Sequence, residues 1–415
     1  MTTIGNIAEV FDGPHATPKK IESGAYYLSI SSLEKGRLDL SKSAFLSDSD
    51  FKKWTKRVTP KEGDILFSYE TRLGEVALMP KNVKACLGRR MGLLRIKDSK
   101  VIPEYLLYAY LSPNFQLTIL SNTIKGATVD RIALSELPNF EIRIPEQDEQ
   151  KKVAGLLQAL DKKIALNNRI NTELEAMAKT LYDYWFVQFD FPISEAQANT
   201  LGKPELKGKP YKSSGGKMVF NEALKREIPE GWEDKELSEI VDITMGQSPS
   251  GDSYNENQEG DIFFQGSTDF GWRFPTIRQY TTEPKRLAKQ GDILLSVRAP
   301  VGTLNIAEID CCIGRGLAAL RSNIGFNSYL FYVMSYFKQI FDYRNSSGTT
   351  FGSITKDDLY SLKLAYPTKD LLTEYDKIVS SYNKTTFNNH KQNQQLTKLR
   401  DWLLPMLMNG QVTVK

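Results

Sequence analysis

The chain has 415 residues, with 54 basic against 50 acidic side chains, 40% hydrophobic and 25% charged. At roughly 100–200 residues per domain, one compact unit is excluded and about two to four modules are expected, while the composition excludes disorder, collagen and a pure coiled coil. A net charge of +4 leaves any nucleic-acid binding to local clusters rather than to an overall field.

Cys86, Cys311 and Cys312 form no CxxC pair, so neither a disulfide framework nor a zinc knuckle is available and a reducing compartment fits. The opening MTTIGNIAEV lacks a basic stretch followed by an apolar run, and no long apolar window occurs elsewhere. A cytoplasmic protein that makes no membrane contact is expected.

The chain repeats itself. Lys61–Gly74 (KEGDILFSYETRLG) and Lys289–Gly302 (KQGDILLSVRAPVG) share seven of fourteen positions, where chance gives about one. CLGRRMGLLR from Cys86 parallels CIGRGLAALR from Cys312, GATVDRIALSELPNFEIRIP from Gly126 parallels GTTFGSITKDDLYSLKLAYP from Gly348, and IGNIAEVFDG from Ile4 resembles LSEIVDITMG from Leu237. Between the last pair and the GDIL blocks the halves differ in length and sequence. Each half is therefore a common frame around a variable insert.

In chain order, residues 1–145 read as a first α+β domain, with GDIL a turn running into a strand and Glu141–Ile144 a strand stopped by Pro145. Residues 146–188 then change period: Leu157, Leu160 and Ile164, followed by Leu174, Met177 and Leu181, step by three and four as one long amphipathic helix. Residues 189–230, rich in Gly, Pro, Lys and Ser, read as a linker with a small hairpin at its end. Residues 231–367 repeat the domain, and 368–409 a second long helix whose seam carries Val379, Tyr382, Leu396, Leu399 and Leu403, before a tail at 410–415. The middle of that helix, Asn383–Gln395, is polar and reads as helix only through its alignment with KKIALNNRINTEL. In that alignment Asn167 and Asn168 face Asn388 and Asn389, either a polar layer setting register between paired helices or two solvated pairs. Trp54, Trp185, Trp232 and Trp402 read as core or seam residues.

Catalytic motifs are missing. There is no GxxxxGK[ST] loop, no GxSxG elbow, only two histidines (His15 and His390), and Gly314-Arg315-Gly316 lacks the rest of a dinucleotide fingerprint. Binding and positioning are expected rather than catalysis. The candidate binding residues fall in two sets that follow the repeat. The first contains His15, Lys19 and Ser31, the acid-free stretch Phe51–Lys61 with Lys53 and Arg57, then Arg72, Arg89, Arg90, Lys125 and Thr128. The second contains Gln265, Ser267, Trp272, Arg273, Arg278, Arg298, Arg315, Thr349 and Thr350. Lysines and backbone amides beside glycine suit phosphate contact, and arginine or glutamine suits base edges. Taken singly, each charge is more simply a solvated surface group, and it is recurrence in one frame that favours DNA. Lys125–Thr128 and Ser347–Thr350 are explained as well by a Gly turn with a Thr N-cap as by a phosphate cradle.

The motifs GDILxS, GxxT…I…L…IP, LYDYWFVQFDFP from Leu181 and PYKSSGGKMVFNEALKREIPEGW from Pro210 resemble those of DNA-specificity subunits of type I restriction-modification systems, over nearly the whole chain. The resemblance implies an α+β protein with two pseudo-two-fold-related target-recognition domains, each followed by a long helix, the helices pairing as an antiparallel coiled coil. It implies that each domain reads one half of a bipartite asymmetric site in double-stranded DNA, with the helices a spacer docking two methyltransferase subunits, to which restriction subunits add. S-adenosylmethionine would then belong to the methyltransferase, ATP and Mg to the restriction subunit, and no cofactor or metal to this non-catalytic chain. His15, Lys19 and Ser31 against Gln265, Ser267 and Trp272 would make two different half-sites. Two departures stand out. No IPEGW precedes Ile4, so the opening strand of the first domain is expected to be short or supplied by the C-terminal tail, and the polar middle of the second helix leaves its continuity open. The rival expectation is a coiled-coil scaffold that binds proteins and reads no DNA sequence.

Overall fold

The computed structural model describes all residues except 127, 201, 299, 347–352 and 415, and the backbone alone at 340–346. The chain divides into two compact units, Met1–Asn168 with Asn389–Lys415, and Arg169–Asn388. Each unit therefore holds one globular domain with parts of both long helices.

In the first unit, β1 (Ala8–Asp12), β2 (Ile65–Ser68), β3 (Val76–Leu78) and β4 (Met91–Ile96) form an antiparallel sheet in the order β1-β4-β2-β3. In the second, β5 (Val241–Met245), β6 (Ile293–Ser296), β7 (Leu304–Ile306) and β8 (Leu317–Ser322) repeat the order as β5-β8-β6-β7. β2 and β6, the GDIL strands, are buried at every position, as strands covered on both faces must be.

The repeated Lys-x-Gly-Asp turn explains itself physically. Gly63 and Gly291 lie at φ of 85° and 84°, the left-handed region that a side chain disfavours. The following aspartate is buried and closes the turn: Asp64 accepts from the Lys61 amide at 2.8 Å, Asp292 from the Lys289 amide at 2.7 Å. Each then pairs with the arginine that ends the second repeated block, Arg95 on β4 and Arg321 on β8. The most legible shared motif is thus a structural tie between neighbouring strands.

The variable inserts dock on this frame in one way. A strand of each runs parallel to the segment before the Gly-Arg block: Ala25–Tyr27 beside Ala85–Cys86, and Asp261–Phe264 beside Cys311–Ile313. The resulting side sheets differ in size, three strands against five.

Thr2–Thr3 pairs with Glu141–Ile142, where the second domain pairs Glu233–Glu236 with Lys363–Tyr366. The expected linker is not a loose one. Its hairpin, Met218–Asn221 with Arg226–Pro229, is present, but Phe191 stacks on Tyr211 and Trp232, and Ile193 and Ile228 are buried in the same core. Regularly placed aromatics, hidden by the Gly and Lys around them, turn this segment into part of the second unit.

Four helices matter below: α1 (Pro103–Leu111), α2 (Gln147–Tyr182), α3 (Asn327–Ser346) and α4 (Lys369–Met408). A π-helical turn at Asp183–Val187 follows α2. α4 is continuous through its polar middle. The helices pack antiparallel: Asp161 on α2 meets Arg400 on α4 at 2.9 Å, and six residues later Asn167 donates to Gln392 and Asn393 at 2.8 Å each. The polar layer is real, and Asn393 also donates to Asn168 at 2.7 Å. Asn167 and Asn168 meet Gln392 and Asn393 in it, because equivalent positions in an alignment need not face each other across an antiparallel pair. Leu157, Ile164 and Val379 are buried, and Leu160, Leu174, Leu181, Tyr382, Leu396 and Leu403 half-buried. Met177 and Leu399 do not join the seam but are 52% and 42% exposed, and Trp402, expected in the core or seam, is 62% exposed. Trp185 and Trp232 are buried as expected.

Candidate nucleic-acid interface

The repeat brings the same loops together in each unit, and glycine makes this possible. After β1, Gly13 donates to the carbonyl of Met91 at 2.7 Å, and a Cβ on it would lie 2.7 Å from the carbonyl oxygen of Gly88. After β5, a Cβ on Gly246 would lie 2.2 Å from the carbonyl oxygen of Gly314. Two backbones cross at each place with no room for a side chain. The crossing sets the loop after the first strand beside the loop carrying Arg89 and Arg90 in one unit and Arg315 in the other.

In the first unit Tyr69–Arg72 and Val129–Ile132 join that cluster. The Tyr69 amide donates to Arg90, the Thr71 amide to Asp130 and the Ile132 amide to Tyr69, at 3.2, 3.1 and 2.9 Å. Thr71 and Arg90 both adopt left-handed backbone, φ of 69° and 70°, which is uncommon away from glycine and concentrates at functional sites. Arg90 pairs with Glu70 at 3.0 Å and donates to the Thr71 hydroxyl at 3.0 Å, holding the cluster together. Arg72 donates to the Ile30 carbonyl and pairs with Glu75, which ties this loop to the insert that carries Ser31. Arg89, Lys125 and Thr128 are exposed.

Beside the cluster lies a cleft of about 460 Å³ lined by Asp12, His15, Lys53, Trp54, Arg57 and Leu87 among others. Asp12 organises it, accepting from Arg57 at 2.6 and 2.7 Å and lying 3.1 Å from His15. Next to it, burial first and the acids Asp12 and Glu70 second push the Tyr69 hydroxyl up to about 12. It therefore acts at neutral pH only as a neutral group. Lys19 and Ser31 are exposed, Ser31 within 2.9 Å of the Ser29 hydroxyl.

In the second unit Ser248 plays the organising part. Its hydroxyl accepts from Gln265 Nε2 at 2.9 Å and from the Arg315 amide at 3.2 Å, while Gly316 donates to the Gln265 carbonyl. Arg298 is exposed and bridges Ser353, and the Ile354 amide donates to Val297, the same joining of loops as in the first unit. Ser267 opens a short turn ending at Asp269, whose buried carboxylate holds Arg278. Trp272 is 57% exposed. Thr349 and Thr350 lie outside the described residues.

One candidate is displaced. Arg273 is 4% exposed, stacked 3.7 Å over Phe331 and bonded to Glu175 and Asn383, so its guanidinium is spent inside the unit and is not free for DNA. A sequence cannot tell a buried arginine from a surface one inside an insert of no clear period. Asp12, Tyr69 and Ser248 were missed. The signal available was position alone, since Asp12 immediately precedes Gly13 and Ser248 lies two residues beyond Gly246.

Among the described residues no cluster of three or more His, Cys, Asp or Glu is placed to hold a metal ion, and no helix is long and apolar enough to cross a membrane. The family model for the type I restriction modification DNA specificity domain matches twice, at residues 2–176 and 229–398. The chain belongs to this specificity-subunit family. It is 31% identical to a Methanocaldococcus jannaschii chain named as the MjaX specificity subunit of a type I restriction enzyme, over 99% of this chain and 92% of that one. It is 26% identical to the MjaIX specificity subunit of the same organism, over 97% and 88%. The fold matches the S subunit from M. genitalium with a TM-score of 0.60 at 19% identity, over 98% and 95% of the two chains. As a type I specificity subunit the chain carries two target-recognition domains, and the two loop clusters lie one in each.

Proposed function

We propose that the two target-recognition domains each read one half of a bipartite, asymmetric sequence in double-stranded DNA. The observation that carries this reading is one frame used twice with different chemistry. The sheet order, glycine crossing and loop junctions repeat, whereas Asp12, His15 and Arg57 belong to the cluster of one unit and Ser248, Gln265 and Arg298 to that of the other. A repeated frame with unlike surfaces suits two unlike half-sites. Arginine and glutamine side chains suit base edges in the major groove, and exposed Lys19, Lys53, Lys125 and Thr128 suit phosphates.

In this reading α2 and α4, 36 and 40 residues long, act as the spacer, about 54 and 60 Å at 1.5 Å per residue. They dock two methyltransferase subunits, and restriction subunits join through these. The exposed apolar side chains Leu399 and Trp402, three residues apart on one face of α4, support such docking. The adenine methylation chemistry and its S-adenosylmethionine belong to the methyltransferase, which flips the target base, and ATP with Mg belongs to the restriction subunit. This chain contributes recognition and no catalytic group.

The test is selection of bound duplexes from a random library by the complex with its methyltransferase, repeated at two salt concentrations. Two conserved blocks around an unselected gap, with affinity falling steeply as salt rises, are expected. A stable complex that selects nothing would favour a protein-binding scaffold.

A further inference from the structure

Each globular domain is fastened to the long helices by a node of the same make. In the first unit Asp161 of α2 receives the hydroxyl of Tyr108 at 2.7 Å, Arg400 of α4 at 2.9 Å and Arg37 of the insert at 3.3 Å. In the second unit Glu175, also on α2, receives the hydroxyl of Tyr332 at 3.0 Å and the guanidinium of Arg273, which bonds Asn383 of α4 at 2.9 Å. The two tyrosines are repeat equivalents, ending Tyr105-Leu-Leu-Tyr108 on α1 and Tyr329-Leu-Phe-Tyr332 on α3. In both units the node joins three bodies: the helix that follows the last strand of the frame, the helix pair and an arginine of the variable insert.

Such nodes are poor sources of stability. Taking Arg273 out of water offsets most of its attraction to Glu175, and the exposed Arg37 pair with Asp161 is weakened by solvent, whereas such pairs are better attested as devices that fix one arrangement among several. Arg273 illustrates this, since a planar fork stacked on Phe331 and bonded on both sides permits one orientation of the insert on the helices. The nodes are also unlike in polarity. α4 supplies an arginine to the first and a neutral asparagine to the second, so loss of Arg273 takes the guanidinium from Glu175, whereas Asp161 keeps Arg400 if Arg37 is lost.

We infer that Asp161 and Glu175 are positioning residues that set the angle of each reading domain on the helix pair, and that through Arg37 and Arg273 they govern which gap length is accepted. They touch no DNA and leave half-site chemistry alone. This inference rests on the bipartite reading proposed above.

The experiment uses the complete chain assembled with its methyltransferase. Methylation rates are measured on three duplexes with the selected half-sites and a gap of native length, one base pair shorter and one longer. For Glu175→Gln, Arg273→Lys and Asp161→Asn, the preference for the native gap is expected to fall about threefold or more, while one wrong base in a half-site still abolishes methylation. Should a charge variant fail to assemble, Tyr332→Phe and Tyr108→Phe each remove one hydroxyl and are read on the same duplexes. Equal loss of rate on all three duplexes, with the gap preference unchanged, overturns the inference and leaves the nodes as simple fold contacts. A wild-type complex with no two-part site instead overturns the reading beneath it.

Discussion

At the scale of single residues, the repeated Lys-x-Gly-Asp turn ties neighbouring strands of each sheet together. Asp64 and Asp292 are buried acceptors paired with Arg95 and Arg321. Asp64→Asn and Asp292→Asn are expected to lower stability by roughly 1.5–3 kcal/mol each, the range for a lost charge-assisted hydrogen bond, as read by chemical denaturation. Arg89 and Arg315, equivalent in the repeat and both exposed, are expected to behave differently from these. Arg89→Ala should change selection within the half-site of the first domain only and Arg315→Ala within the other, by about 1–3 kcal/mol for a base contact, measured on duplex libraries. A change in both halves from either variant would show that the domains do not read independently. Sequence spacing located these arginines because glycine beside arginine recurs. It could not separate them from Arg273, whose burial depends on Phe331, Glu175 and Asn383 arriving from remote parts of the chain.

Among the elements, the two long helices were legible because apolar residues step by three and four over many turns, and Leu157, Ile164 and Val379 are buried as that period requires. The period alone overextended the seam to Met177 and Leu399, since an apolar residue near the edge of a stripe can be left for another surface. The strands of the frame were legible at GDIL and at Glu141 and Lys363. The side sheets of the inserts were not, because they are short and pair with a segment some fifty to sixty residues away. Two expectations belong at this scale. Asn167→Leu should leave thermal stability unchanged or raised while loosening register, since the Asn167 bonds to Gln392 and Asn393 specify more than they stabilise. Double-cysteine crosslinking between the helices should then give more than one register where the parent gives one. Inserting seven residues at matched places in both helices adds about 10 Å, or roughly three base pairs of rise, and should lengthen the unread gap without altering either half-site. An unchanged gap would remove the helices from the role of spacer.

For the whole molecule, the repeat carries the functional claim, because it yields two frames of one topology whose inserts differ in size and surface. The segment between the repeats, expected to be a linker, is built into the second unit through Phe191, Tyr211 and Trp232. The most direct measurement is a genome-wide map of methylated adenines in cells that produce this chain with its methyltransferase partner. The expected result is one motif of two unlike specified blocks around a gap of constant length, with Arg89→Ala relaxing one block and Arg315→Ala the other. A single uninterrupted motif, or none despite a stable complex, would contradict recognition by two domains.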